Sequence, residues 1–213
     1  MPAPISEEQT SRDREALLAA AEALFYERGV QAVGMDAVRA AAGLSLKRIY
    51  ALFATKEDLV VAVLRRRDRR WLTDLAEYVE RREDPRERVL SLFDWLERWF
   101  AEPGFRGCAW INVHGELGSS SPAVLAEVRA HKKAFHDRIT AWVGAATDAP
   151  AEPVCLLAEG AIVTASVTGD PRAARAARTA AGTLIGRPPE ISRSGRTRPA
   201  YAGVEEHRNE NRR

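Results

Sequence analysis

Apolar residues along most of the chain recur every three or four positions, which is the spacing of one face of an α-helix. The first clear stretch runs from Ala16 to Phe25 and is followed by Gly29, a residue type that commonly ends helices. Alternation of apolar and polar residues, which is typical of half-buried strands, is scarce. The pattern therefore predicts an all-α protein of about nine helices without a sheet.

Residues that cap or break helices divide this pattern into elements. Ser, Thr and Asp favour helix starts, Pro suits a first helical turn, and Gly suits a helix end. The first helix is expected to begin at Thr10 or Ser11 and to end at Gly29. The other predicted helices are Asp36 to Ala42, Leu46 to Phe53, Thr55 toward Val79, Pro85 up to a break at Pro103 and Gly104, Arg106 to Leu117, Ala123 to about Ala145, Val154 to Val167 and Pro171 to Ile185.

The same breaks predict the domain organisation. A polar arm is followed by a small N-terminal domain, a connecting helix and a larger helical domain. The C-terminal segment is rich in Pro, Ser, Gly, Arg and Glu and is expected to be disordered. The predicted boundaries are 1–9 for the arm, 10–55 for the N-terminal domain, 56–80 for the connecting helix, 81–186 for the larger domain and 187–213 for the tail.

The N-terminal domain contains two short helices joined by Gly43, Leu44 and Ser45, an arrangement that predicts a helix-turn-helix over residues 34–53. A helix fits the major groove of DNA, where arginine can bind guanine and flanking groups can hold phosphates. We therefore expect Arg48 to read a base, while Lys47 is expected to contact a base or a phosphate. The full predicted DNA-binding set is Arg39, Ser45, Leu46, Lys47, Arg48, Tyr50 and Lys56, although Arg39 also suits a plain surface position.

Charge supports this expectation through its distribution. The formal net charge is only +2, but residues 34–70 contain nine basic and four acidic residues. Five of the basic residues are Arg65, Arg66, Arg67, Arg69 and Arg70, which we interpret as solvated or long-range electrostatic groups. Two cysteines, the absence of a long apolar run and the absence of an apolar leader predict a soluble cytoplasmic protein without membrane contact.

Several short motifs resemble the N-terminal domain of TetR-family (tetracycline-repressor-type) regulators over about 50 residues. They are LFYERGV, D-A-V-R-A-A-A-G-L-S, I-Y-x-L-F and T-K-E-D-L. The resemblance implies that Tyr50 contacts a phosphate; a phosphate contact by Lys56 is also expected from its place at a helix start. The chain departs from the family at Gly34, where Thr or Ser is usual, and at Leu46, Ala51 and Leu52. An operator sequence cannot therefore be inferred from relatives.

The resemblance also implies that the larger domain binds a small-molecule effector and forms a homodimer through its last two helices. The segment RGCAWINVHGELGSSSP resembles a Gly-Cys-x-x-x-Asn-x-x-x-Glu-Leu pattern of one branch of the family. Aromatic and polar residues are candidates for the pocket, although core packing would also explain them. The predicted pocket residues are Trp95, Trp99, Trp110, Asn112, His114 and Phe135. The predicted interface residues are Leu157, Ala161, Ile162, Ala165, Ala177, Ala181 and Leu184.

The predicted function is a DNA-binding repressor that leaves a palindromic operator when its effector binds. An activator, a regulator without a ligand, and a helical carrier or enzyme are the alternatives. The chain shows no phosphate loop, Gly-x-Ser-x-Gly motif or HExxH motif, so we predict no enzymatic activity and no cofactor. The spacing of His114, His131 and His136 does not favour a metal site. Cys108 is read as a buried apolar residue, with oxidant sensing as the alternative.

Overall fold

A computed structural model describes residues 6–186, and within this range the chain forms nine α-helices and no strand. This confirms the predicted all-α class. The helices are α1 (Glu7–Arg28), α2 (Met35–Ala42), α3 (Leu46–Leu52), α4 (Lys56–Glu80), α5 (Pro85–Phe100), α6 (Ala109–Leu117), α7 (Pro122–Ala146), α8 (Glu152–Thr168) and α9 (Ala173–Gly186).

Helix α1 begins three residues earlier than the sequence predicted. The hydroxyl of Ser6 accepts a hydrogen bond from the backbone N–H of Gln9 at 3.1 Å, and two glutamates occupy the positive first turn. The predicted arm of residues 1–9 is therefore wrong for residues 7–9, which are helical. The rest of that arm, and the predicted disordered tail of residues 187–213, lie outside the described residues.

The two short helices of the N-terminal domain are joined as predicted. Gly43 adopts φ 66°, a left-handed conformation that L side chains rarely adopt, and this lets the chain turn sharply after α2. Ser45 then caps α3, because its hydroxyl accepts from the N–H of Arg48 at 3.2 Å. Val38 and Ile49 are fully buried and anchor α2 and α3 to the core. The outer face of α3 is thereby fixed relative to α1.

Helix α4 connects the N-terminal helices to the rest of the fold. It starts with a capping box of Thr55 and Asp58, packs on α1, and continues between α5 and α7. Helices α5 to α9 form the larger domain, in which α8 and α9 pack on each other and α9 packs on α5. No helix in residues 6–186 has the length and apolar character needed to span a bilayer.

Helix α6 begins at Ala109 rather than at the predicted Arg106. Gly107 adopts φ 80°, which is incompatible with a helical residue, so the chain can turn into the helix only after it. The backbone N–H of Arg106 donates to the hydroxyl of Tyr26 in α1 at 2.9 Å. The first three predicted residues of α6 are therefore a loop held against α1.

Candidate nucleic-acid interface

The outer face of α3 combines a cation with a phenol. Lys47 and Tyr50 are exposed, with Tyr50 at 48%, whereas Ile49 between them is fully buried. Ser45 is also exposed and Leu46 is half-buried beside it. Arg39 on α2 is exposed and lies 3.4 Å from Asp36. The structure thus brings most of the predicted DNA-binding residues to the surface around one short helix.

Arg48 differs from its predicted role because its side chain is turned back toward α1. Its Nε donates to Asp13 at 2.7 Å and its Nη2 donates to the Thr10 hydroxyl at 2.8 Å. Both charged side chains are mostly covered, and the guanidinium holds the pKa of the Asp13 carboxyl below its ordinary value. In this structure Arg48 holds α3 against α1, and its side chain does not project from the outer face of α3.

Lys56 is also directed inward. Its ammonium group donates to the backbone carbonyls of Val30 and Val33, both at 2.6 Å. These carbonyls belong to the turn between α1 and α2, so Lys56 stabilises the entry to the helix-turn-helix. This geometry differs from the predicted phosphate contact, because two of the three ammonium protons already have partners in the protein.

Four of the five arginines in the α4 cluster form ion pairs, contrary to the solvated role that the sequence suggested, whereas Arg69 is exposed as expected. The carboxylate of Glu22 on α1 is buried and accepts from Arg66 at 2.8 Å and Arg67 at 3.0 Å, with Arg70 also bound to it. Arg65 pairs with Glu127 on α7 at 2.6 Å. Much of the positive charge counted over residues 34–70 therefore joins α4 to its neighbours.

The aromatic residues predicted to line a pocket pack on one another. The ring of Trp71 contacts Trp95, Trp99, Trp110 and Phe135 at centroid distances of 5.0–6.4 Å, mostly edge to face. Phe135 and Trp110 are almost completely inaccessible to solvent. These aromatics form a core between α4, α5, α6 and α7.

His131 lies inside this aromatic core. Its imidazole stacks on Trp110 with a centroid distance of 3.4 Å and an interplanar angle of 3°, and its Nδ1 lies 2.7 Å from a carboxylate oxygen of Asp68. Burial lowers the pKa of this imidazole, although Asp68 opposes the effect. The histidine therefore bridges α4 and α7 within the core.

A cavity of about 620 Å³ lies instead between the two domains. Its walls are the C-terminal half of α1, the first half of α4, residues 104–106 and α6. Asn112 lines it, whereas Trp95, Trp99, Trp110, His114 and Phe135 do not. His114 is exposed at the surface of α6. The volume is within the range of small-molecule sites.

The residues predicted to form a dimer interface mostly face inward within one chain. Ala161, Ile162 and Ala165 on α8 and Ala177 and Ala181 on α9 are buried. Leu157 and Leu184 are half-buried. The buried residues among them lie where α8 and α9 of the same chain pack on each other. The exposed apolar residues of α8 are Leu156, Val163 and Val167.

Cys108 is buried and its sulfur lies 3.5 Å from the ammonium group of Lys132, which pairs with Glu159. Among residues 6–186 no group of three or more His, Cys, Asp and Glu side chains is arranged to hold a metal ion.

The geometry defines a helix-turn-helix protein with a second helical domain. Residues 17–63 match the model of the family described as bacterial regulatory proteins, tetR family. The N-terminal part of the chain therefore carries a TetR-type helix-turn-helix domain, and the described fold resembles that of solved TetR-family regulators. Lys47 and Tyr50 lie within the matched residues.

Three relatives place this result in context. The HTH-type transcriptional activator FasR of Mycolicibacterium smegmatis is 34% identical over 88 residues, which cover 39% of this chain and only 40% of that protein. A TetR-family regulator from Streptomyces coelicolor is 25% identical with a TM-score of 0.76, over 82% of this chain and 95% of that one. A TetR regulator from Chloroflexus aurantiacus shares the fold, with 21% identity and a TM-score of 0.74 over 85% of this chain and 98% of that one.

Proposed function

We propose that the protein is a homodimeric transcriptional repressor that binds a palindromic DNA operator through α3. The observation that carries this proposal is the exposed pair of Lys47 and Tyr50 on a helix whose opposite face is fixed by the buried Ile49. A short helix of this kind can enter the major groove, with its cation and phenol at bases or phosphates. Such a protein acts in the cytoplasm, where the DNA is.

Dimerisation is part of this proposal because one α3 reads only half of a palindrome. A two-fold dimer presents two such helices about 34–36 Å apart, one turn of DNA. The outer face of α8 supports it, since Leu156, Val163 and Val167 are exposed and lie on one side of the helix with Gly160. Apart from Arg175, the exposed residues of α9 are small (Ala176, Thr179, Thr183 and Gly186) and permit close approach of a second pair of helices.

DNase I footprinting on the DNA that flanks the protein's own gene tests the DNA-binding proposal. At low salt we expect a protected palindrome whose half-sites are about one turn apart. Lys47→Ala should weaken protection, and the matched variant Lys133→Ala, at an exposed lysine of α7, should not. Absence of protection by the wild-type protein at every concentration would refute the proposal.

Activation is the second candidate, and the similarity to FasR, which is named an activator, favours it. The two outcomes separate in a transcription assay with purified RNA polymerase and the footprinted promoter. A repressor lowers transcript yield, and an activator raises it. The position of the protected palindrome provides an independent check, because a repressor site overlaps the promoter whereas an activator site lies upstream.

The proposal also includes release of the protein from its operator when a small-molecule effector binds. The effector must bind the two conformations of the protein with different affinity, because only that difference can shift DNA binding. The aromatic residues predicted as its pocket fill the core of the larger domain, so the cavity between the domains is the better candidate for the effector site.

A further inference from the structure

We propose that the cavity between the two domains binds a small organic carboxylate with an aromatic or aliphatic body. Its role in releasing DNA rests on the proposed function, whereas binding itself does not. The cavity lies where the two domains meet. Its walls come from α1 and α4 on one side and from residues 104–106 and α6 on the other. A ligand there would touch both domains.

Two sets of hydrogen bonds join the two walls, and both involve residues that line the cavity. The hydroxyl of Tyr26 in α1 donates to the carbonyl of Gly107 and accepts from the N–H of Arg106, both at 2.9 Å, in the loop before α6. Glu116 in α6 accepts from the backbone N–H groups of Val30 at 3.0 Å and Gln31 at 2.7 Å, in the turn after α1. These contacts hold α6 and its preceding loop to the chain entering the helix-turn-helix.

The branch-specific sequence pattern accounts for these contacts. Gly107 supplies the carbonyl that Tyr26 binds, and Glu116 supplies the carboxylate that the α1–α2 turn binds. Asn112 donates to the carbonyl of Arg106 at 2.9 Å and holds the loop in place. Gly107, Asn112 and Glu116 of the pattern therefore all form hydrogen bonds that join the two walls of the cavity or hold the loop between them. The sequence alone did not indicate this role.

The lining of the cavity combines apolar and ionic side chains. Apolar side chains from α1, α4 and α6 include Phe25, Val60, Val63 and Val113, with Phe105 from the loop. Aromatic rings and branched side chains suit an aromatic or aliphatic body. These residues favour a ligand whose larger part is apolar.

One cation of the lining favours an anion, because the other ionic groups already have partners, including Glu27 and Arg28, which pair with each other at 3.4 Å. The carboxylate of Glu22 is neutralised by Arg66, Arg67 and Arg70, and that of Glu116 accepts two backbone N–H groups. The guanidinium of Arg106 forms no ion pair or hydrogen bond with any side chain or backbone group of residues 6–186. A carboxylate ligand would give this cation a partner in the cavity.

The test uses three probes that share one body, 4-phenylbutanoate, 4-phenylbutanol and 4-phenylbutylamine. Affinity is measured by calorimetry and by the rise in melting temperature without DNA, since a ligand selective for the native state stabilises it. We expect the carboxylate to bind tightest. Arg106→Gln should lower the affinity for the carboxylate by about tenfold and leave the affinity for the alcohol unchanged. Arg129→Gln, at an exposed arginine of α7, is the matched control.

A second variant locates the site. Ala109→Phe fills the cavity from the first turn of α6 and should weaken all three probes, whereas Ala123→Phe, in the first turn of α7, should not. The proposal fails if the carboxylate does not bind, if the two arginine variants weaken it equally, or if Ala109→Phe leaves binding unchanged. If probes bind as expected but the protein protects no DNA, the cavity site stands and the proposed function fails.

Discussion

Lys47 and Arg48 are neighbours on α3, but their surroundings give them different tasks. Lys47 is exposed and makes no contact that the fold needs. Lys47→Ala should therefore weaken binding to all DNA sequences alike and reduce the salt dependence of the binding constant by about one unit of slope. The melting temperature should stay unchanged. Fluorescence anisotropy titrations at several salt concentrations measure the slope, and an unchanged slope would exclude a phosphate contact.

Arg48 is expected to act through the fold rather than by reading a base. Arg48→Ala removes the bonds to Asp13 and Thr10, so the melting temperature should fall and α3 should lose its attachment to α1. Affinity should decrease similarly for every operator variant. A base-reading arginine would instead cost about 1–3 kcal/mol of discrimination at one base pair. A loss of discrimination at one base pair, together with an unchanged melting temperature, would support the base-reading role that the sequence predicted for Arg48.

His131 predicts a pH dependence of stability. Burial in the aromatic core lowers its pKa below the ordinary 6.5, so the unfolded chain takes up a proton at a higher pH than the folded one. The free energy of unfolding should therefore fall as the pH decreases from about 6.5.

Urea unfolding followed by tryptophan fluorescence at pH 7.5, 6.5 and 5.5 measures this effect. His131→Gln should make the free energy of unfolding less dependent on pH, because the titrating group is removed while a donor to Asp68 remains. His114→Gln, at an exposed position on α6, should leave the dependence as in the wild type. Equal pH profiles for the wild type and His131→Gln would contradict the interpretation.

At the scale of elements, the start of α6 depends on one glycine. Gly107 has φ 80°, and a Cβ added to it would lie 2.7 Å from the Cβ of Ser166 on α8. Gly107→Ala should therefore destabilise the fold through backbone strain of about 1–2 kcal/mol and through a further clash with α8. Gly104→Ala is the matched control, because φ is 82° there but no atom lies within 4 Å of an added Cβ. Urea unfolding should show a larger loss at Gly107.

The starts of α3, α4 and α5 could be predicted from the sequence because the groups that set them are local. Ser45, Thr55 and Asp84 each cap the helix that follows within three residues. Side-chain partners could not be predicted, because they lie far away in sequence. Glu22 and the α4 arginines are more than 40 residues apart, and Glu116 is 86 residues from Val30. The inward turn of Arg48 and Lys56 was missed for the same reason.

A related limit applies to the residues predicted for the aromatic pocket and the dimer interface. Periodicity identifies which face of a helix is apolar but not which partner covers it. Trp99 and Phe135 are apolar because they contact Trp71, and Ala161 and Ala177 are small because α8 and α9 pack within one chain. The cavity between the domains uses α1, α4 and α6 together, and no single segment of the sequence indicates it.

For the whole molecule, the decisive question is what covers the outer face of α8. Leu156 is 70% exposed, Val163 44% and Val167 80%, and with Gly160 they follow one another at intervals of four, three and four residues. Contiguous exposed apolar residues of this kind commonly mark a protein interface. Since a palindromic operator needs two copies of α3, the partner that we propose for this face is the α8 of a second copy.

Val163→Asp places a charge in the middle of that face and should shift the protein from dimer to monomer, because an unpaired buried carboxylate is costly at an interface. Sedimentation equilibrium measures the shift. Operator affinity should fall with it, as each monomer then binds one half-site alone, while binding to a single half-site stays unchanged. Ile111→Asp, at an exposed apolar residue of α6, should remain dimeric. A dimeric Val163→Asp protein with wild-type operator affinity would place the interface elsewhere.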